Sequence, residues 1–179
     1  MPKIQMSVRI ISCDRSRADA VLAILNEAIE NSTALYDYQP RTRAMMDAWY
    51  DAKEKARYPV IGVIDEANQL LGFGSYAPFR AWPAYKYTIE HSVYVERAHR
   101  GQGVGKLLLA ELIATAARQD YHMIIGGIDA QNAASIALHR RLGFEQCAHI
   151  RQAGFKFNRW LDLKFYQLLL NTPAHPIDG

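Results

Sequence analysis

The chain has 179 residues, half of them hydrophobic and 22% charged, with a formal net charge of +3 at pH 7. This composition is typical of one globular domain, here residues 1–179 with a short tail at 172–179, and it excludes a disordered chain. The small charge comes with no basic stripe of the kind that binds nucleic acid, which excludes that class of partner.

No apolar run approaches the ~20 residues that a membrane span requires. The first five residues also lack the apolar core of a signal peptide. We therefore expect a cytoplasmic protein without a membrane partner. A disulfide between Cys13 and Cys147 is not expected in that compartment.

The first half of the chain predicts a strand, two helices and a hairpin. Residues 6–13 alternate weakly as a strand, and Asp14 or Ser16 can cap the helix that follows. A second helix begins near Thr42. Residues 58–65 and 70–78 form two strands with a turn between them, which indicates an antiparallel hairpin.

The second half predicts alternating strands and helices after an aromatic loop at 79–85. The predicted elements are a strand at 88–95, a helix ending near 118, a strand at 122–129, a short helix at 133–142 and a strand at 160–170. Gly143 is typical of a left-handed helix end, and Trp160 is expected in the core. The element order predicts an α/β fold, with a central mixed sheet and helices on both faces.

A glycine-rich segment joins the 88–95 strand to the next helix. It reads Arg100, Gly101, Gln102, Gly103, Val104, Gly105, Lys106. Alternating glycines let the backbone approach a ligand closely, and a helix N-terminus offers free N–H groups to an anion. With its two cations, the segment is suited to a pyrophosphate. It is not a P-loop, because no hydroxyl residue follows Lys106, and its glycine spacing is not that of the dinucleotide fingerprint.

The pattern Arg-x-x-Gly-x-Gly, from Arg100 to Gly105, resembles the coenzyme A loop of the GCN5-related N-acetyltransferases (GNAT). The segment from Asn132 to Phe144, a short helix with a Gly-Phe ending, is similar to another motif of that superfamily. The resemblance covers essentially the whole chain and implies the GNAT fold with acetyl-CoA as co-substrate. It assigns coenzyme binding to the glycine-rich segment and to Val93, Tyr94, Val95, Asn132 and Ser135.

Residues 31–37, 90–95 and 153–162 resemble a narrower group, the phosphinothricin and methionine sulfoximine N-acetyltransferases. This group acetylates the α-amine of small amino-acid analogues, methionine sulfone among them, is linked to antibiotic and herbicide resistance, and generally forms homodimers. The resemblance implies direct transfer in a ternary complex. In that group, Glu90, His91 and Ser92 border the acceptor. Further candidates for the acceptor site are Tyr36 and the loop residues Arg80, Ala81 and Trp82, since an arginine can make a bidentate contact with a carboxylate or phosphinate.

Attack of a neutral amine on a thioester requires a base, and the leaving thiolate requires an acid. Glu90 lies in a mostly apolar strand, where it is either the base or a member of a salt bridge. His139 stands where many superfamily members carry a tyrosine acid, so it is either the acid or a residue of the helix surface. Tyr94 and Tyr36 are alternative acids. His91 alternates with Glu90, so the two should face opposite sides of the sheet.

Two other classes of function stay open at this point. The acceptor could be another amine, such as a polyamine, an antibiotic or a protein N-terminus. Alternatively, the chain could be a non-catalytic regulator that binds acetyl-CoA. The scattered histidines predict no metal site.

Overall fold

A seven-stranded mixed sheet with helices on both faces organises the protein, which confirms the predicted architecture. The computed structural model describes residues 7–178, so Met6 of the predicted first strand and Gly179 of the tail lie outside it. The strands are β1 Val8–Ser12, β2 Val60–Asp65, β3 Leu70–Pro78, β4 Thr88–Val95, β5 Met123–Asp129, β6 Glu145–Lys156 and β7 Arg159–Leu169. The helices are α1 Ala18–Asn31, α2 Arg43–Ala56, α3 Val104–Arg118 and α4 Ala133–Arg141.

The predicted helix starts are set by short polar side chains. Asp14 caps a 3-10 turn that leads into α1, and the Thr42 hydroxyl accepts from the Met45 amide at the start of α2. Gly143 follows α4 with a φ of +89°, a value that glycine adopts without strain. No helix within residues 7–178 combines the length and apolar character needed to cross a bilayer.

The two faces of the sheet carry separate hydrophobic clusters. On one face, α1 and α2 bury Val21, Leu25, Met46 and Tyr50 against the sheet. On the other face, α3 buries a stripe at helical spacing, which consists of Val104, Leu108, Leu109, Leu112 and Ala116. The sheet is therefore fixed between two layers of helix.

Strand order is β1-β2-β3-β4-β5-β7-β6, and β4–β5 is the parallel pair. That pair is short, because only Thr88, Ile89 and Glu90 have partners on β5. On its other edge, β4 stays paired with β3 as far as Val95. The two central strands thus diverge after Glu90, and the backbone of residues 91–95 lacks a neighbour on the β5 side within the described chain.

Strand β6 is absent from the predicted elements. It lies at the edge of the sheet, and most of its side chains are exposed, so it lacks the alternation that identifies a half-buried strand. It joins β7 through Phe157 and Asn158, both at positive φ, without the glycine that usually indicates such a turn. Trp160 is 59% exposed on this hairpin, so its expected place in the core was wrong.

Lys156 fastens the β6–β7 hairpin to the end of α1. Its buried Nζ donates to the carbonyl oxygens of Ile29, Ser32 and Leu35 at 2.6, 3.0 and 2.7 Å. Carbonyl groups at the end of a helix have no partner within the helix and favour a cation. The connection from α1 to α2 is consequently held beside the diverging strands.

Candidate active site

A cleft of about 640 Å³ opens where β4 and β5 diverge. Its walls come from β4, the glycine-rich segment, the end of β5, and α4. Of the residues predicted to bind the coenzyme, the cleft is lined by Val93, Tyr94, Val95, Arg100, Gly101, Gly103, Gly105, Lys106, Asn132 and Ser135. The volume lies within the range of about 300–1,000 Å³ that is usual for small-molecule sites.

The glycine-rich segment leaves its surface open. Gly101 and Gly103 have φ values of +76° and +93°, and a Cβ built on either would meet no atom within 4 Å. Gly103 is the N-cap of α3 and provides no side-chain cap to it, so N–H groups of the first turn stay available to a ligand. These residues fit an anionic group such as a pyrophosphate.

Two predicted coenzyme residues direct their side chains away from the cleft. The Gln102 amide donates to Ala98 O at 2.9 Å, and the Val104 side chain packs in the core at 2% exposure. Any contact from these two residues to a coenzyme would come from the backbone.

Arg100 is already oriented by the protein. Its Nε donates to Val95 O at 3.0 Å, and its guanidinium pairs with Glu27 of α1. The side chain is 45% exposed and lines the cleft. One edge of the guanidinium is therefore held in place while the group stays accessible to an anion.

Asn132 caps α4 and also lines the cleft. Its Oδ1 caps α4 by accepting from the Ser135 amide at 3.0 Å. The residue also lines the cleft, where its Nδ2 can donate to a ligand. The capping bond and a ligand bond use different atoms and are compatible.

Glu90 occupies the last β4 position before the strands diverge. It is half-buried, and among the described residues it forms no salt bridge. Burial raises the pKa of its carboxyl, and the positive charge of Arg80 opposes that rise. A carboxylate with a raised pKa beside a cleft is suited to proton transfer.

His91 and His139 form a buried pair across the divergence. Their Nε2 atoms are 3.1 Å apart, their rings stack, and Phe144 packs against both. Burial lowers the pKa of His139 and lowers that of His91 to about 3. The pair is therefore neutral near pH 7. His91 faces the cleft and Glu90 a second cavity, so the predicted opposite orientation is confirmed.

The hydrogen-bond partners of the two imidazole rings determine which ring nitrogens carry a hydrogen. The Nδ1 of His139 lies 2.7 Å from the carbonyl oxygen of Ser135, which only accepts, so this nitrogen carries hydrogen. His139 Nε2 then accepts from His91 Nε2, and His91 Nδ1 is left buried with no partner among the described residues. In this tautomer, His139 has no hydrogen to donate into the cleft.

The predicted acceptor residues fall into two groups. Tyr36 lines the cleft and packs on Gly154 of β6, where an added Cβ would lie 2.8 Å from its ring. Ser92 lines the cleft and the second cavity. Arg80, Ala81 and Trp82 lie on an exposed loop, with Trp82 at 69% exposure, and contribute to neither space. The structure thus does not bring the loop residues into either space, although the charge of Arg80 still acts on Glu90.

A second cavity of about 180 Å³ lies between β4 and the α1–α2 layer. Its lining includes Arg41, Trp49 and Lys53, none of which is among the predicted site residues. The sequence does contain a pattern that could have identified Lys53. This residue lies on the same helical stripe as Met46 and Tyr50, the other buried residues of α2, where an apolar side chain is expected. A lysine in such a stripe needs an explanation.

The described side chains do not support a catalytic cysteine or a metal site. Cys13 and Cys147 are both free, and burial raises the pKa of the Cys13 thiol to about 11. Neither thiol lines the cleft. Residues 7–178 contain no cluster of three His, Cys, Asp or Glu residues that could hold a metal ion.

The acetyltransferase (GNAT) family model matches residues 24–144, which include the C-terminal half of α1, β4, the glycine-rich segment and α4. The chain belongs to this family. The expected superfamily is thereby confirmed, and with it the expectation of an acyltransferase enzyme. An L-methionine sulfoximine/L-methionine sulfone acetyltransferase of Pseudomonas paraeruginosa is 43% identical over 166 residues, which cover 93% of this chain and 96% of that protein.

Solved GNAT structures have the same fold. An acetyltransferase structure from Acinetobacter baylyi is 51% identical, has a TM-score of 0.97 and covers 99% of this chain and 100% of that chain. A phosphinothricin acetyltransferase from Sinorhizobium meliloti, in complex with acetyl-CoA, is 31% identical with a TM-score of 0.91 and covers 96% of this chain and 93% of that chain. The second structure confirms acetyl-CoA as a ligand of this fold. Its name and that of the Pseudomonas relative agree with the narrower resemblance.

Gly126 of β5 tests the histidine pair. A Cβ at this position would lie 2.6 Å from His91 Nε2 and 3.1 Å from His139 Nε2. Gly126→Ala should therefore separate the rings and reduce the free energy of unfolding by about 1–3 kcal/mol, as overpacking does. Denaturant unfolding measures the loss. Gly126→Ala in a His91→Ala background should cost much less, and an equal cost in both backgrounds would contradict the predicted clash.

Proposed function

We propose that the chain transfers an acetyl group from acetyl-CoA to the α-amine of a small amino-acid analogue, such as methionine sulfoximine, methionine sulfone or phosphinothricin. The observation that carries this proposal is the position of Glu90. It lines the second cavity beside the point where β4 leaves β5, and Ser92 and Tyr94 line both this cavity and the cleft. A carboxylate there can accept a proton from an amine in the second cavity, while the thioester lies in the adjoining cleft.

The coenzyme would be held along the cleft by complementary groups of the chain. The first turn of α3, with Arg100 and Lys106, suits the pyrophosphate. Within residues 7–178, the backbone of residues 93–95 has no strand on its β5 side, so its N–H and C=O groups can bind the pantetheine arm. Asn132 Nδ2 and Ser135 lie on the opposite wall, on α4.

Glu90 takes the proton of the acceptor ammonium, directly or through water, so that the neutral amine can attack the thioester carbon. The new C–N bond replaces the C–S bond. The nitrogen loses a second proton as it becomes an amide, and the thiolate gains one proton, so one proton in total is released. Tyr94 is half-buried, and its desolvation raises the pKa of its hydroxyl, which therefore keeps its proton at pH 7. Tyr94 is available as the acid at once, whereas His139 must first change tautomer. Tyr36, which also lines the cleft, is the other hydroxyl candidate.

A thiol-release assay with acetyl-CoA and a panel of amines tests this function. We expect turnover with methionine sulfoximine, methionine sulfone or phosphinothricin, and little with polyamines, aminoglycosides or N-terminal peptides. The panel needs a coenzyme-binding measurement beside it. Tight binding of acetyl-CoA without thiol release for any amine would instead identify a regulator, and preference for a polyamine would change the acceptor.

The pH dependence of kcat/KM tests Glu90. A base must be unprotonated, so activity should fall as the pH drops through its pKa, which burial raises above the ordinary value of about 4.3. Glu90→Gln should lower turnover at neutral pH about tenfold or more and remove this acid limb. An identical limb in Glu90→Gln would exclude Glu90 as the base.

Arg80 provides the matched test. Its charge lowers the pKa of Glu90, so Arg80→Met should raise that pKa and move the acid limb to higher pH. Arg80→Lys retains the charge and should leave the limb close to its wild-type position. Coincident profiles for the methionine and lysine variants would show that Arg80 does not act on the base.

We further infer a homodimer and a cytoplasmic location. The β6–β7 hairpin exposes Phe155, Phe157 and Trp160 at 44, 51 and 59%, and such an exposed apolar group is typical of an interface. The two free thiols agree with a reducing compartment. Sedimentation should give twice the chain mass, and Trp160→Glu should shift it toward the monomer. A wild-type monomer at micromolar concentration would contradict the dimer.

A further inference from the structure

Lys53 is a buried cation inside the second cavity. It is 9% exposed, and among the described residues it forms no salt bridge, although Arg41 in the same cavity is paired with Asp37 at 3.2 Å. Its Nζ donates to Tyr76 O at 2.6 Å and lies over the rings of Trp49 and Tyr58 at 5.2 and 5.7 Å. An ammonium has three donors, so hydrogen bonding in the described chain leaves two unused.

A buried ammonium without a counterion is costly. Burial disfavours the charged form of Lys53 and lowers its pKa to about 8. Replacement by an apolar residue would relieve that cost. An anion that enters the cavity would compensate the charge and use the free donors.

The cavity lies where an acceptor would have to be. Ser92 and Tyr94 of β4 line this cavity and the coenzyme cleft alike, and Glu90 lines the cavity itself. At about 180 Å³ it falls below the usual range for drug-sized ligands and suits a smaller molecule. A molecule bound here can present an amine toward Glu90 and another group toward the α2 side.

We propose that Lys53 binds the α-carboxylate of the acceptor and thereby selects amino acids over simple amines. This inference rests on the proposed function and adds a specificity residue to it. The α-carboxylate is the appropriate anion because methionine sulfone carries no other. Arg41 contributes less, since Asp37 already balances its charge.

The test compares an acid with its neutral counterpart. Lys53→Met should lower kcat/KM for L-methionine sulfone by about tenfold or more, mainly through KM, because a charge-assisted hydrogen bond is lost. For L-methionine sulfone carboxamide, which lacks the anion, the same variant should change kcat/KM by less than about twofold. Lys55→Met is the matched control, because Lys55 is exposed on the same helix and should leave both substrates unaffected.

A loss that is equal for the acid and the carboxamide, or no loss for either, would overturn the proposal. If Lys53→Met does not fold, Lys53→Gln gives the same comparison with a polar side chain. If the wild-type enzyme acetylates no amine, the proposed function fails, but calorimetry still decides on Lys53. Methionine sulfone should then bind the wild type more tightly than the Lys53→Gln variant, and equal affinities would overturn the subsite.

Discussion

The divergence of β4 from β5 is the constraint on which the rest of the site depends. Three residue pairs join the two strands, and then the partner backbone is lost. Backbone groups without a strand partner are free to bind another group, so residues 91–95 can offer hydrogen bonds to a ligand on the β5 side. The same divergence opens the cleft and places Glu90 at the last paired position of β4, so the open backbone and the position of this carboxylate are consequences of one feature.

Burial at this junction shifts three kinds of titratable group, and each shift follows from the preference for the neutral form. The pKa of Glu90 rises, whereas those of Lys53 and the two histidines fall. Only the histidine pair satisfies most of its hydrogen-bonding groups internally. Among residues 7–178, Glu90 and Lys53 form no salt bridge. This contrast distinguishes a histidine pair with internal partners from the two groups for which we propose substrate roles.

Sequence patterns identified what depends on local spacing. The bounds of β3 and β4, the caps near Asp14 and Thr42, and the open glycine-rich segment all follow from periodicity and backbone preference. The features that the sequence patterns did not predict depend on contacts between residues far apart in the chain. Strand β6 has no buried face of its own, and the contact between His91 and His139 joins residues 48 positions apart. Lys53 was detectable as an anomaly in α2, but its role needs the cavity.

The pairing of Glu27 with Arg100 connects the two halves of the site. Glu27 belongs to α1, which covers the sheet face with the second cavity, while Arg100 begins the segment that would receive the coenzyme. The end of α1 is in turn held by Lys156 of β6. Because ion pairs at the surface stabilise little, this connection matters for orientation rather than for stability. It aligns the guanidinium before a ligand arrives, which lowers the entropy cost of binding.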